Sequence, residues 1–329
     1  NMHQSTNDVY PTAVRVAAIF GCKALSDVAA KLQGTFQQKE KEFAGIVKVG
    51  RTELQAAVPL TLGVEFAAFG EAFARDRWRT FKCEERLRVV NLGGTAIGTG
   101  LAAPQRYIFL VTEKLREITG LGLSRSENMV DATANADAFV EVSGILKAHA
   151  SNLLKIANDL RLMNLLGEIR LPQLQAGSSI MPGKINPVVL EAVMQAGLKV
   201  LANDLLVTEA ASRATFQICE FMPLLAHALL GSIELLTHAD EMFSVHVAGI
   251  EADPVKCQGY VDQAEGIATA FVSHLGYDKA TELLKEFRAT KQKDFKKFLE
   301  ERLGKELVAR TLSSQNLLSL GHKDHGKNA

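Results

Sequence analysis

Asp137–Met163 reads DAFVEVSGILKAHASNLLKIANDLRLM. Its apolar residues Val142, Ile145, Leu146, Leu153, Ile156, Leu160 and Met163 recur at i, i+3, i+4, the spacing that lines one face of an α-helix. The run has no proline and a single glycine, Gly144, so the pattern predicts a helix of about 25 residues or more. Ala148, Leu154 and Leu162 lie off that stripe, which predicts burial on several sides. His149 takes the one non-apolar place in the series and is read as a satisfied core histidine rather than a ligand.

Similar patterns cover Pro11–Ala44, Leu62–Asn91, Pro187–Arg213 and Phe216–His246. Pro223 kinks the last of these or marks its start. Alternating runs rich in β-branched residues are nearly absent, so no sheet is expected. The expected class is all-α, a bundle of five long helices. After about residue 247 the helical patterns shorten. The expected division is therefore a central helical-bundle domain, 1–246, and a small C-terminal helical domain, 247–329. The charged run EFRATKQKDFKKFLEERLGKELVAR reads as a solvated helix face, and the tail GHKDHGKNA as frayed.

Lys+Arg and Asp+Glu both number 37, a balance that argues against a nucleic-acid partner, which needs a basic face. It leaves room for a small anionic substrate, which needs only a local field. Cys22, Cys83, Cys219 and Cys257 lie far apart without a CxxC pair. They read as buried reduced thiols, which fits a cytoplasmic setting. The histidines form no HExxH or similar pattern, so no metal is expected. The most apolar window, FMPLLAHALLGSIELL, is broken by Pro223, His227 and Glu234, which excludes a membrane span there.

Four short segments resist the core-helix reading: Gln4–Asp8 (QSTND), Gly50–Gln55 (GRTELQ), Gly93–Gly100 (GGTAIGTG) and Gly177–Asn186 (GSSIMPGKIN). Each puts Ser, Thr or Asn at a helix boundary, and each alone is compatible with capping and turns. GGTAIGTG has neither the Lys-Ser/Thr of a P-loop nor a preceding strand, which argues against nucleotide binding. GSSIMPGKIN differs. Asn186 is placed to cap a helix beginning with Pro187. The N-terminal dipole and Lys184 then put positive charge where an anion, above all a carboxylate, would sit. Gly177 and Gly183 allow a tight loop. The hydroxyls of Ser178 and Ser179 lie beside that charge, where an alkoxide is stabilised electrostatically.

GSSIMPGKINPVVLE resembles the Gly-Ser-Ser-x-Met-Pro-x-Lys-x-Asn signature of the fumarase/aspartase superfamily. NMHQSTNDVYPT, VGRTELQAAVPLTLG, GGTAIGTGL and the stretch from VDATANADAF to KIANDLRLM resemble the same superfamily in the same order, so the likeness covers nearly the whole chain. The resemblance implies an all-α homotetramer whose subunits each give five helices to a twenty-helix core. It also implies active sites built from three subunits. The implied chemistry removes a proton beside a carboxylate, forms an aci-carboxylate and expels the neighbouring group to give fumarate, with no cofactor. The ammonia-lyase branch acting on L-aspartate fits best. Fumarate hydratase, another superfamily lyase and a catalytically silent structural relative are the alternatives.

By position in those motifs, the resemblance makes Ser178 the general base. Ser5, Thr6 and Ser179 would bind the carboxylate that becomes dianionic, and Lys184 and Asn186 the other carboxylate. Asn7 and Thr52 would lie near the leaving amine, and Glu191 would be a supporting acid. Glu53 stands where superfamily members carry His or Gln. A Glu53–Glu191 pair would be two carboxylates sharing a proton, an arrangement that favours an ammonium group over a hydroxyl. The family carries a further N-terminal domain to which nothing here corresponds, so the chain is expected to represent the part from the second signature onward. LMNLLGEIRLP is several residues shorter than the family's turn. Ala56, Val64, Ala102, Cys219 and Met222 replace the family's Asp, Gln, Asn, Asn and Glu.

Overall fold

A computed structural model describes residues 2–319 and Gly321; the expected frayed tail lies, from residue 322 on, outside the described residues. The elements run α1 (Thr6–Glu42), β1 (Val47–Thr52), β2 (Gln55–Thr61), α2 (Leu62–Phe81), α3 (Cys83–Leu87), β3 (Val89–Val90), α4 (Gln105–Thr119), β4 (Ser124–Arg125), α5 (Met129–Ala134), α6 (Asp137–Leu166), β5 (Ile169–Arg170), α7 (Val188–Ser212) and α8 (Met222–Ala248). Then follow β6 (Glu251–Ala252), α9 (Pro254–Gln263), a 3-10 segment (Glu265–Phe271), α10 (Val272–Leu275), α11 (Tyr277–Ala289), α12 (Phe295–Leu303), α13 (Lys305–Thr311) and α14 (Ser314–Leu317). Five long helices overlap the stretches that the periodicity marks, although α1 begins earlier, at Thr6, and α8 later, at Met222. The second stops earlier than expected, at Phe81, and Pro223 sits at the start of α8.

The chain divides into two compact units, one of residues 1–33, 71–160 and 176–246, the other of 34–70, 161–175 and 247–329. Residue 247 is thus one edge of the second unit, which also takes up the segments 34–70 and 161–175.

In the first unit the apolar stripe of α6 is buried through Val142, Leu146, Leu153, Ile156 and Leu160. Ala148 and Leu154 are half-buried. Small residues set how closely helices approach: a Cβ on Gly197 of α7 would lie 2.8 Å from Leu154 Cγ and 3.2 Å from the Ala150 carbonyl oxygen.

His149 is buried, as expected of a core residue, but it is the centre of a charged cluster. Its Nδ1 lies 3.0 Å from Asp76 Oδ2 and its Nε2 2.9 Å from Asp240 Oδ1. Both ring nitrogens face carboxyl groups, the arrangement that an imidazolium, donating from each nitrogen, satisfies. Burial alone would depress its pKa; the Asp240 and Asp76 carboxylates reverse that and push it up to about 10. Asn152 donates to Asp76 at 2.7 Å and Arg79 lies 3.1 Å from it.

The second unit corrects the expectation of no sheet. β1 and β2 form an antiparallel hairpin, and a shorter two-stranded ladder joins β5 with β6; the first unit holds one more, between β3 and β4. The hairpin turn is Glu53–Leu54, both left-handed at φ 51° and 65°, the geometry of a two-residue type I′ turn usually marked by Asn-Gly. Without that signature the sequence hides it. Lys48 and Arg51 of β1 pair with the buried Glu168 at 2.8 and 2.6 Å. The apolar core of this unit gathers Val49, Val261, Ile267, Phe271, Phe287, Phe295, Phe298 and Leu299. The charged run of α11 to α13 buries Phe287, Phe295 and Phe298 and keeps most of its Lys and Arg side chains outward, the solvated face expected.

All four cysteines are unpaired and buried. Among the described residues no helix is long and apolar enough to cross a membrane.

Candidate active site

Ser5 opens α1 with a reciprocal cap. Its Oγ accepts the Asn7 N–H at 3.1 Å, and its own N–H donates to Asp8 Oδ1 at 3.0 Å. This satisfies the N–H of Asn7 in the first turn and that of the capping Ser5 itself, and it leaves the Ser5 O–H available to donate. The Asn7 side-chain amide donates to the Ala96 carbonyl at 2.6 Å, which leaves its oxygen to accept. Thr6 is exposed. Thr6 and Asn7 edge a cavity of about 270 Å³, whose wall includes Tyr10, Thr133, Cys219 and Met222. Cys219 and Met222 thus line this space with sulfur where the resemblance would put an amide and a carboxylate. Burial pushes the Cys219 thiol above its ordinary pKa, so it remains protonated.

The loop between β5 and α7 carries the second group. Ser178 Oγ accepts the N–H groups of Ile180 at 3.2 Å and Met181 at 3.1 Å. The neck of the loop is closed by Gly177 N–H to the Lys184 carbonyl at 2.8 Å and by Asn186 Nδ2 to the Gly177 carbonyl at 3.0 Å. This corrects the expected role of Asn186. Helix α7 starts at Val188 with Pro187 in the capping place and no side-chain cap, and one N–H of the Asn186 amide ties the loop neck instead, which leaves its second N–H to donate. Gly183 has φ 77°, a left-handed backbone that favours glycine. Ser179 and Lys184 are exposed, while Glu191 is half-buried one turn into α7.

Thr52 and Glu53 sit at the tip of the β1–β2 hairpin in the second unit, both exposed. Within the first unit, no hydrogen bond or ion pair links Ser5, Thr6 or Asn7 to Ser178, Ser179, Lys184 or Asn186 among the described residues. Sequence reasoning does not single out Asp8 or Asn91, although both organise the Ser5 turn; an acid directly behind a Ser-Thr-Asn run is the available signal.

A helix-bundle fold, a Ser-Ser loop and a Ser-Thr-Asn helix start define a class. Residues 1–202 match the lyase family, and the chain belongs to that family. Over 292 residues it is 42% identical to an aspartate ammonia-lyase from a Bacillus species, covering 87% of this chain and 62% of that protein. The chain thus spans about three fifths of the length of this curated relative. Its fold is similar to that of a fumarate lyase:delta crystallin from Brucella melitensis bound to cobalt, at a TM-score of 0.90 and 42% identity, covering 96% of this chain and 70% of that one. A class II fumarase from Schistosoma mansoni is similar at a TM-score of 0.82 and 28% identity, covering 95% and 70%.

Proposed function

We propose that this chain belongs to an ammonia-lyase that converts L-aspartate to fumarate and ammonia. Ser178, as alkoxide, takes the Cβ proton. The electron pair is delocalised into the adjacent carboxylate as an aci-carboxylate dianion, and its return expels the amine as ammonia. Ser5, Thr6 and Ser179 donate to the carboxylate that becomes dianionic, while Lys184 and Asn186 hold the other. Asn7, Thr52 and Glu53 attend the amine, with Glu191 in support.

The observation that carries this reading is the Ser178 hydroxyl, whose oxygen receives two backbone N–H groups. Hydrogen bonds to the charged form favour it, and those two donors and the cation of Lys184 in the same loop all favour the alkoxide. The higher identity to the ammonia-lyase than to the fumarase supports the amine over the hydroxyl as leaving group. Glu53 at the hairpin tip supports it too, since a carboxylate attracts an ammonium group.

The active assembly is a cytoplasmic homotetramer with sites shared between subunits. Two features support it. Among the described residues the Ser5–Asn7 and Ser178–Asn186 groups are not hydrogen-bonded to each other, and the long helices expose Phe20, Leu198, Leu205 and Val245 at 48 to 78%, more apolar surface than a solvated bundle needs.

The test follows fumarate by its ultraviolet absorbance with L-aspartate or L-malate as substrate. Fumarate from L-aspartate supports the reading. Fumarate from L-malate alone makes it a hydratase, and turnover of neither makes it a silent relative.

A further inference from the structure

The Gly93–Gly100 loop has the backbone of an anion receptor, and the anion it holds is part of the protein. Asp8 is 0% exposed. Its Oδ2 accepts the N–H groups of Gly93 and Thr95, each at 3.0 Å, and its Oδ1 accepts that of Ser5 at 3.0 Å. Successive N–H groups in a left-handed turn form a concave anion site, and here Gly93 (φ 96°) and Thr95 (φ 57°) supply that geometry. The loop is locked by Gly94 N–H to the Asn91 carbonyl at 2.9 Å and by Gly98 and Gly100 N–H to the Gly94 carbonyl at 3.0 and 2.9 Å. A Cβ at Gly98 would lie 2.4 Å from the Met129 carbonyl oxygen, so the loop is seated tightly on α5. From the same loop and its root come the two grips on Asn7. Ala96 accepts from its side-chain amide at 2.6 Å, and Asn91 Nδ2 donates to its carbonyl at 3.0 Å. Asn91 is itself held by Thr133 Oγ1 at 2.9 Å.

We propose that Asp8 is a positioning residue: its buried carboxylate, seated in the Gly93–Thr95 nest, fixes the Ser5–Asn7 turn in the geometry that receives the substrate. The inference rests on the ammonia-lyase reading for what that turn binds. It assigns a role to GGTAIGTG, a glycine-spaced loop whose sequence argues against nucleotide binding and which is the mount of a substrate-binding helix start. Ser5 and Thr6 touch the carboxylate whose charge grows during the reaction, so a loosened turn acts on turnover and not only on affinity. A misplacement of about 1 Å in such a turn costs on the order of 10²-fold in rate.

The experiment compares Asp8→Asn with wild type by amide hydrogen exchange and by steady-state kinetics on L-aspartate. The asparagine keeps the shape but removes the charge and turns an N–H2 toward backbone donors. Exchange at Ser5, Gly93 and Thr95 is expected to rise at least about tenfold while the α6 amides stay protected. With that, kcat is expected to fall by about 10²-fold per folded protein, with a smaller change in KM. A variant with a lowered melting temperature but wild-type kcat and KM overturns the proposal, since Asp8 would then be purely structural. Unchanged exchange at the three amides overturns it as well. Asn91→Ser is the milder second variant should Asp8→Asn fail to fold. It removes the bonds of Asn91 to the Asn7 carbonyl, Thr133 and Thr12 while leaving Asp8 and its three N–H partners in place, and a drop in kcat of about tenfold per folded protein is expected; unchanged kcat overturns the proposal. Wild-type protein that makes no fumarate from L-aspartate refutes the functional reading instead. The exchange at Ser5, Gly93 and Thr95 still decides the anchor in that case.

Discussion

Replacing His149 with glutamine removes the cation that holds Asp76 of α2, His149 of α6 and Asp240 of α8 together. The pKa of His149 rises from the ordinary 6.5 to about 10, which at 1.36 kcal/mol per unit corresponds to roughly 5 kcal/mol of stabilisation. Removing one partner of a buried ion pair typically costs about 3–5 kcal/mol, so two independent routes agree on the order of magnitude. A group with a raised folded-state pKa contributes stability that is complete below its unfolded pKa and is lost as the pH climbs through the folded value. The window here is pH 6.5 to about 10. Between pH 6.5 and 9 the contribution should shrink by roughly 3 kcal/mol. Burial would raise the Asp76 carboxyl, but the hydrogen bond and charge of His149, with Asn152 and Arg79, hold it below its ordinary value; its own contribution is lost only as the pH falls into the acid range. Asp240 is raised, chiefly by burial, so its contribution is largest at acid pH and is lost as the pH rises through its folded value. Urea unfolding followed by circular dichroism, at one protein concentration, should show His149→Gln several kcal/mol less stable than wild type at pH 6.5. The two should converge toward pH 9. A stability difference that is the same at both pH values refutes the imidazolium and leaves a neutral, merely packed histidine.

Three further outcomes are expected. Glu53→Gln should raise the KM for L-aspartate several-fold and leave fumarate affinity nearly unchanged; equal effects on both would turn Glu53 away from the amine. Sedimentation at micromolar protein should give a homotetramer, and a monodisperse monomer would contradict sites shared between subunits. Gly197→Leu should cost about 1–3 kcal/mol or more by overpacking α7 against Leu154 and the Ala150 carbonyl, read as a lower urea midpoint; an unchanged midpoint would mean the helices separate freely.

The long helices are legible in the sequence because an apolar repeat of 3.6 residues sustained over several turns fits a helix and not a strand. His149 is legible as buried, since it interrupts an apolar stripe, but not as charged, because its two carboxylates come from helices 73 and 91 residues away in sequence. The β1–β2 hairpin is hidden for two reasons. Its left-handed turn is made by Glu53 and Leu54 rather than by Asn-Gly, and its Lys48 and Arg51 are neutralised by Glu168, more than a hundred residues on. Asn186 is easily misread because a side chain before Pro187 serves equally well as helix cap or loop clasp, and only the partner Gly177 decides between them. The Ser178 loop and the Ser5 turn are visible as polar interruptions of the apolar pattern. Asp8 is not, because its three partners are backbone N–H groups that no residue pattern announces.

The most direct test of the proposed chemistry is Ser178→Ala. General-base catalysis contributes about 10²–10⁴-fold, so fumarate formation from L-aspartate should fall by at least that range. Calorimetric binding of L-aspartate and the oligomeric state should be retained, because the Ser178 side chain is only half-buried and, among the described residues, its hydroxyl is hydrogen-bonded to N–H groups of its own loop. Turnover within a few-fold of wild type would contradict the account and assign the proton to another group.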